Sequence, residues 1–428
     1  MGGHTFESEG LKTPRIATGT YNVLKKEYKD ALAPFYHHTA YAEIVPDKPD
    51  HGDVDILVET PREGTTPERI ASALGAARFK RNGAVTNYAI PHPTDPDTFV
   101  QLDVQKSPAG YLPWQLFLTS YGDLSQILGV IIRPLGLTST DRGLHVRIPE
   151  IEPTNKKASM IHLSHDPSAV LAFFGLDAAR YSAADFACEA DVFAWVAAGR
   201  FFNRDAVVPR AAGGEKQQRP ESENHNDRAR RAKRGMYRRF VEDWVPAHPD
   251  VGADCAWSRE RVLEEALEAF GKREEHDERL AAQRLVWRED ALWRAIKETV
   301  PRKGDSLAGV IRGLKRWVSV EEGTLTLSEE PLEMEGKKPW LERMGEQGEE
   351  KILRWVEEHW AEAQVKEKAW AAAKKAQGVE SNGTSNLHEK EKAWATARKA
   401  QGVESNGTSN LHEKETKRLR LDDGVSLV

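Results

Sequence analysis

Three aspartates stand in surroundings where aspartate is uncommon. Asp53 and Asp55 belong to the run Gly52-Asp53-Val54-Asp55-Ile56-Leu57-Val58, and Asp103 lies within Phe99-Val100-Gln101-Leu102-Asp103-Val104-Gln105. Both runs read as strands, from which aspartate is depleted. Successive strand residues point to opposite faces, so Asp53 and Asp55 share one face. Asp103 shares its face with Gln101 and Gln105, while Val100, Leu102 and Val104 take the other. Carboxylates held close together need a cation between them or a strong rise in pKa. Mg²⁺ and Mn²⁺ suit oxygen ligands, and Mg²⁺ binds through one or two carboxylates plus substrate phosphates. Two such ions about 3.5–4 Å apart can activate a hydroxyl and neutralise the phosphate it attacks. The expected chemistry is therefore metal-assisted transfer at phosphorus, with Asp53, Asp55 and Asp103 as both metal ligands and catalytic residues. A calcium loop fits less well. With Gly52 as its central glycine, Pro49 and His51 would fall on ligand positions and no Glu would close it.

The elements that must position these residues can be read around them. Tyr21–Tyr28 has helical spacing, and an apolar strand follows at Val54–Val58. Thr66-Pro67-Glu68 is a helix start, with a capping hydroxyl before an N1 proline. Val85–Ile90 and Phe99–Gln105 are β-rich, and the proline-rich stretch between them can only turn, which predicts a hairpin feeding a sheet. From Ile161 to Phe202 the texture is mostly helical, with Asp166-Pro167 as one start and Gly175 as its stop. Gly52 is expected to give the backbone its tight entry into the first acidic strand.

In this order the motifs resemble those of the DNA polymerase beta-like (family X) nucleotidyltransferases. Gly52–Val58 resembles that family's Gly-Asp-Val-Asp-Ile-Leu segment, and Gln101-Leu102-Asp103 the strand bearing its third aspartate. Leu116–Asp123 is similar to its Tyr-Phe-Thr-Gly-Ser region. Arg133–Leu137 and Gly143–Arg147 resemble the helix-to-strand end of the same domain. The resemblance spans about Tyr21 to Ile148 and implies a mixed sheet with helices on one side. It also implies Mg²⁺ on the three aspartates, a nucleoside triphosphate as donor, and a hydroxyl acceptor that DNA or RNA could supply. Nucleotide contacts are expected at Lys48, Gly52, Thr119, Ser120 and Tyr121. The chain departs from the pattern where a Gly-Ser pair usually holds the triphosphate. Ala42-Glu43 stands there, Ile44-Val45-Pro46-Asp47 follows, and Lys48 is the first base. Glu43 and Asp47 would repel a triphosphate. The glycine of Thr-Gly-Ser is replaced in Thr119-Ser120-Tyr121. A protein of this fold that binds metal or nucleic acid without transfer is the alternative reading.

The rest of the chain bounds the answer. At 428 residues, with 39% hydrophobic and 30% charged residues, two folded units plus tails are expected. The net charge of −6 supplies no global field for nucleic acid, so any such contact must come from a local patch. The densest is Asp227–Phe240, where Arg228, Arg230, Arg231, Lys233, Arg234, Arg238 and Arg239 could neutralise backbone phosphates. Cys188 and Cys255 allow no disulfide framework or zinc cluster. No P-loop, nucleophile-elbow or His-Glu-x-x-His motif occurs. Absence of a secretory signal and of a membrane-length apolar run points to an intracellular location, nucleus or cytoplasm, away from membranes. Lys417–Leu421 is a short basic cluster.

The expected fold class is α+β: a palm-like nucleotidyltransferase domain over 13–150, a helical extension over 151–206 and a linker over 207–226. An α-helical region over 227–362 and a low-complexity, disordered tail over 363–428 follow. The tail holds a direct repeat, Lys366–Glu389 and Lys390–Glu413. Trp287, Trp293, Trp317, Trp355 and Trp360 occur in helical stretches and read as packing residues.

Overall fold

The computed structural model describes residues 3–207, 232–253, 257–332, 340–345 and 347–376. The expected linker after Val207, Arg228, Arg230, Arg231, Cys255, residues 377–389 of the first repeat copy, the second repeat copy and Lys417–Leu421 lie outside them. The chain divides into two compact units, Met1–Leu280 and Ala281–Val428. The division falls inside one continuous helix, Arg273–Thr299, and not at the expected linker.

The first unit is built on a mixed sheet. Its elements run β1 (Ile16–Ala17), α1 (Thr18–Leu32), β2 (Tyr36–Tyr41), β3 (Asp50–His51), β4 (Val54–Pro61), α2 (Pro67–Leu74), β5 (Arg78–Asn82), β6 (Val85–Pro91), β7 (Phe99–Ser107) and α3 (Leu112–Thr119). Five strands lie in the order β2-β4-β7-β6-β5. β4 and β7 are parallel, and every other pairing is antiparallel. The expected hairpin is β6–β7. Thr66 caps α2 by accepting the Arg69 amide at 3.3 Å, Pro67 occupies its first turn, and Gly75 closes it with a φ of 62°.

Alternation sorts each strand into two faces. Val54, Ile56 and Val58 of β4, with Val100, Leu102 and Val104 of β7, are at most 1% exposed. They join Tyr21, Leu24, Tyr28 and Leu32 of α1 and Ile70 of α2 in one core. The opposite face carries Asp55, Glu59, Gln101, Asp103, Gln105 and Ser107. The expectation of helices on one side only is corrected here, because α3 covers the far end of this second face. Glu59 Oε1 accepts the amides of Tyr111 and Leu112 at 3.1 Å, satisfying donors at the α3 N-terminus. Ser107 Oγ donates to Gln115 Oε1 at 2.7 Å. Trp114 is fully buried beneath α3 and donates to Thr140 O at 2.8 Å.

α4 (Leu124–Ile132) leads to a three-stranded antiparallel sheet of β8 (Leu137–Thr140), β9 (Gly143–Arg147) and β10 (Met160–Ser164). The helices Pro167–Phe174, Ala178–Ser182 and Glu189–Ala197 follow, so the helical extension forms once β10 has closed its sheet. Asp166 caps the first of them through Ser168 N at 3.0 Å, and Gly175 ends it with a φ of 67°.

The second unit is not purely helical. Val318–Glu321 and Thr324–Leu327 pair as a hairpin that the helical reading of this stretch did not contain. Glu322 and Gly323 turn it with φ values of 48° and 77°. The tail expected from residue 363 also begins later. Helix Glu349–Ala376 runs through that position, and Ala363, Gln364 and Glu367 are buried along it. Trp293, Trp317, Trp355 and Trp360 have the expected packing roles.

Candidate metal centre

The parallel register sets Asp55 opposite Asp103. Neighbouring strands lie about 4.8 Å apart, so these two carboxylates leave adjacent backbones on one face. Asp53 stands just before β4 rather than within it. Each of the three lies at or above the mouth of a concavity. Asp53 and Asp55 line a cleft of about 920 Å³, and Asp53 and Asp103 line a second of about 700 Å³. Asp53 therefore sits where the two openings meet.

The electrostatics of the set is that of crowded acids. Asp55 is reached by water from the cleft, yet protein surrounds it on its other sides. That enclosure, with Asp53 and Asp103 adding repulsion, pushes its carboxyl up to about 7. Burial and then Asp103 raise Asp53, and burial raises Asp103. Asp103 is also held in place. Its Oδ1 accepts from Asn87 Nδ2 at 2.6 Å and from Gln101 Nε2 at 2.9 Å. Asn87 was not singled out from the sequence. It faces Asp103 because the β6–β7 hairpin pairs those two residues.

As the side chains stand, no group of three or more His, Cys, Asp or Glu among the described residues is gathered tightly enough to hold a metal ion. The donor set nevertheless suits a hard cation that takes only some of its ligands from protein and the rest from phosphate oxygens. All its donors are carboxylate oxygens on one face.

Residues 3–10 were not expected at the site. The Gly3 amide donates to Asp53, and Thr13 Oγ1 donates to Gly3 O. Thr5 N donates to Gln101 Oε1 at 3.1 Å, and Lys80 Nζ to Thr5 O at 2.8 Å. Phe6 anchors this segment with no exposed surface. The left-handed glycine is Gly3, with a φ of 82°, and not Gly52. A Cβ on Gly3 would fall 2.4 Å from Gly52 O, so two backbones meet there.

The expected nucleotide contacts divide. Lys48 and Thr119 line the larger cleft with Asp53 and Asp55, whereas Gly52 is buried. Ser120 is also buried, and its Oγ accepts the Glu43 amide at 3.1 Å. Tyr121 N donates to Glu43 O at 2.7 Å, so Ala42-Glu43 is tied to the Thr119–Tyr121 segment. Tyr121 itself takes the left-handed turn, with φ 56°. Its ring is held edge-on to Tyr181 and Phe186, and its hydroxyl donates to Tyr181 O at 3.1 Å. That packing retains a conformation costly for a bulky side chain.

Of the described basic residues, Lys233, Arg234 and Arg239 line the same cleft. Arg234 Nη1 lies 3.4 Å from Asp123 Oδ1, and Arg239 pairs with both Glu189 oxygens at 2.5 Å. Arg238 is exposed. The segment thus folds against its own unit, with Met236 and Tyr237 buried. Across the cleft, His51 stacks on Tyr21 with centroids 3.8 Å apart, and burial lowers its pKa to about 4. It is neutral at pH 7.

Asp55 predicts a pH dependence. Its folded pKa of about 7 exceeds the ordinary 3.8, so the folded chain binds more protons between those values. Stability present at low pH is then lost as pH rises through about 7. In metal-free buffer, the thermal midpoint of the first unit should fall from pH 5 to pH 8, and fall less in Asp55→Asn. Mn²⁺ should raise it more at pH 8 than at pH 5. Equal pH slopes for both proteins in differential scanning fluorimetry would contradict this.

No family model matches the chain, and no curated protein matches it. Among solved structures, the chain is similar to Leishmania infantum polymerase beta in a ternary P/T complex and in a ternary gap complex. Each match has 11% identity and a TM-score of 0.30 over 38% of this chain, covering 74% and 68% of those chains. A likeness at this level decides neither fold nor activity. No helix among the described residues is long and apolar enough to cross a membrane.

Proposed function

We propose that this chain is a divalent-metal-dependent nucleotidyltransferase that moves a nucleotide from a nucleoside triphosphate to a hydroxyl acceptor. The observation that carries this reading is the placing of Asp55 opposite Asp103, with Asp53 at the junction of two openings. Mg²⁺ or Mn²⁺ held by these carboxylates would neutralise the α-phosphate and activate the attacking hydroxyl. The bond formed joins the acceptor oxygen to the α-phosphorus, the bond broken joins that phosphorus to the β-phosphate bridge, and pyrophosphate leaves. Asn87 and Gln101 hold Asp103 Oδ1, which leaves Oδ2 to take the hydroxyl proton. Lys48 and Lys233, both exposed in the larger cleft, suit the triphosphate, and they stand in for the missing Gly-Ser loop. The smaller opening, with Lys80 and Arg81 on its wall, would admit an acceptor such as DNA or RNA from the other side.

A second reading is binding of metal or nucleic acid without transfer. Glu43 and Asp47 in the cleft, and the engagement of Ser120 by Glu43, favour it. The protein should be incubated with labelled nucleoside triphosphates, a primer-template and Mg²⁺ or Mn²⁺, beside Asp53→Asn. Labelled product and pyrophosphate that vanish in the variant are expected. Metal-dependent thermal stabilisation without turnover would favour the second reading, and neither metal binding nor turnover would end both.

A further inference from the structure

The chain carries one sequence twice, and the structure shows what the first residues of the first copy do. Lys366–Glu389 and Lys390–Glu413 differ only in Ala372 against Thr396 and Lys374 against Arg398. The start of the first copy is the end of helix Glu349–Ala376. There Glu367, 5% exposed, accepts from Arg316 Nε at 2.9 Å and from the Trp317 indole at 3.2 Å. Lys366 Nζ donates to Ser328 O at 3.0 Å and lies 5.4 Å from the Trp317 ring centre. The Arg316 guanidinium stacks on Trp370 at 3.8 Å. A carboxylate, an ammonium and an indole thus dock on the helix Gly304–Trp317 and on Ser328 beyond the hairpin.

The second copy presents the same groups at the same spacing, as Lys390, Glu391 and Trp394. Both differences between the copies fall on side chains that are exposed in the first, Ala372 and Lys374. Neither alters the docking face, and Arg398 keeps the cation four residues after the indole. What the second copy lacks lies upstream. Ala363 packs so closely that its carbonyl is 2.4 Å from where a Cβ on Gly313 would stand, and Gln364 Nε2 donates to Ser306 O at 2.8 Å. Leu387 and His388 occupy the matching places. The first copy is therefore the preferred occupant, and the second can rebuild only the Lys, Glu and Trp contacts.

We propose that Lys390–Ala400 is an alternative occupant of this surface in the same chain, docking through Lys390, Glu391 and Trp394 when Lys366–Lys374 is displaced. The loop released on exchange is 24 residues, the spacing of the copies, and loop-closure cost rises only slowly with length. A tethered segment meets its site at an effective concentration of about millimolar, which favours docking within one chain at micromolar protein.

Hydrogen exchange of the Gly304–Trp317 amides in the full chain reads the docking. In Glu367→Gln/Trp370→Ala the second copy takes over, so exchange should accelerate less than about threefold. Glu391→Gln/Trp394→Ala should match the wild type, and the four substitutions together should accelerate exchange by more than about tenfold. A first-copy variant that exchanges as fast as the combined one overturns the proposal. So does one that elutes as a larger species in size exclusion while the combined variant does not, because docking would then be between chains. If the combined variant does not fold, Glu367→Gln with Glu391→Gln makes the same comparison.

Discussion

Asp103→Asn is expected to lower metal-dependent nucleotide transfer by on the order of 10³-fold while leaving the chain folded. Loss of several kcal/mol of charge stabilisation at the phosphate corresponds to roughly three decades in rate. The side chain keeps its place, because the remaining amide oxygen can still accept from Asn87 and Gln101. The metal-free chain should be no less stable than the wild type, since the substitution removes a charge that repels Asp53 and Asp55. Activity and thermal midpoint thus move independently, and a loss of both together would mean that Asp103 holds the fold instead. Glu43→Gln, exposed in the same cleft, should act the other way by lowering KM for the triphosphate with little effect on kcat. A KM that does not fall would place the triphosphate elsewhere.

Trp114→Ala should cost the first unit about 3–5 kcal/mol. Trp114 has no exposed surface, packs 5.2 Å from Phe117, and ties α3 to the β8–β9 hairpin through Thr140 O. Truncation leaves a cavity that a helix clamped at its start by Glu59 and at its middle by Ser107 cannot readily close. Because α3 covers the far end of the face that bears the aspartates, the same change should weaken metal binding. The two units need not unfold together, so the measurement is the denaturant midpoint of the metal-sensitive transition. Trp114→Phe, which keeps most of the volume, should cost less than half as much. Equal costs would point to the indole hydrogen bond rather than the cavity.

Much of the strand and helix pattern around the candidate site was legible in local sequence. Alternation in Val54–Val58 and in Phe99–Gln105 separated Asp55 and Asp103 from the residues that became core, and Thr66-Pro67 and Asp166-Pro167 marked helix starts that formed. Such signals are local, because side-chain direction follows from the backbone period and a cap is made within one turn. The hairpin at Val318–Leu327 was missed because its strands are four residues each, too short for alternation to stand out within helical surroundings. The low-complexity reading of residues after 363 missed Glu367, whose partners Arg316 and Trp317 lie about fifty residues away.

The sequence by itself determined which strand residues could share a face: Asp55 with Glu59, and Asp103 with Gln101. Only tertiary structure decided which faces meet. The parallel β4–β7 pairing brings Asp55 to Asp103, the β6 register adds Asn87, and residues 3–10 fold back to place the Gly3 amide on Asp53. Two cations of the basic segment, Arg234 and Arg239, are likewise paired with Asp123 and Glu189 of their own unit. The physical reason is range. A two-residue period is written in neighbouring residues, whereas strand partners and cleft walls are chosen by burial and pairing summed over residues far apart in the chain.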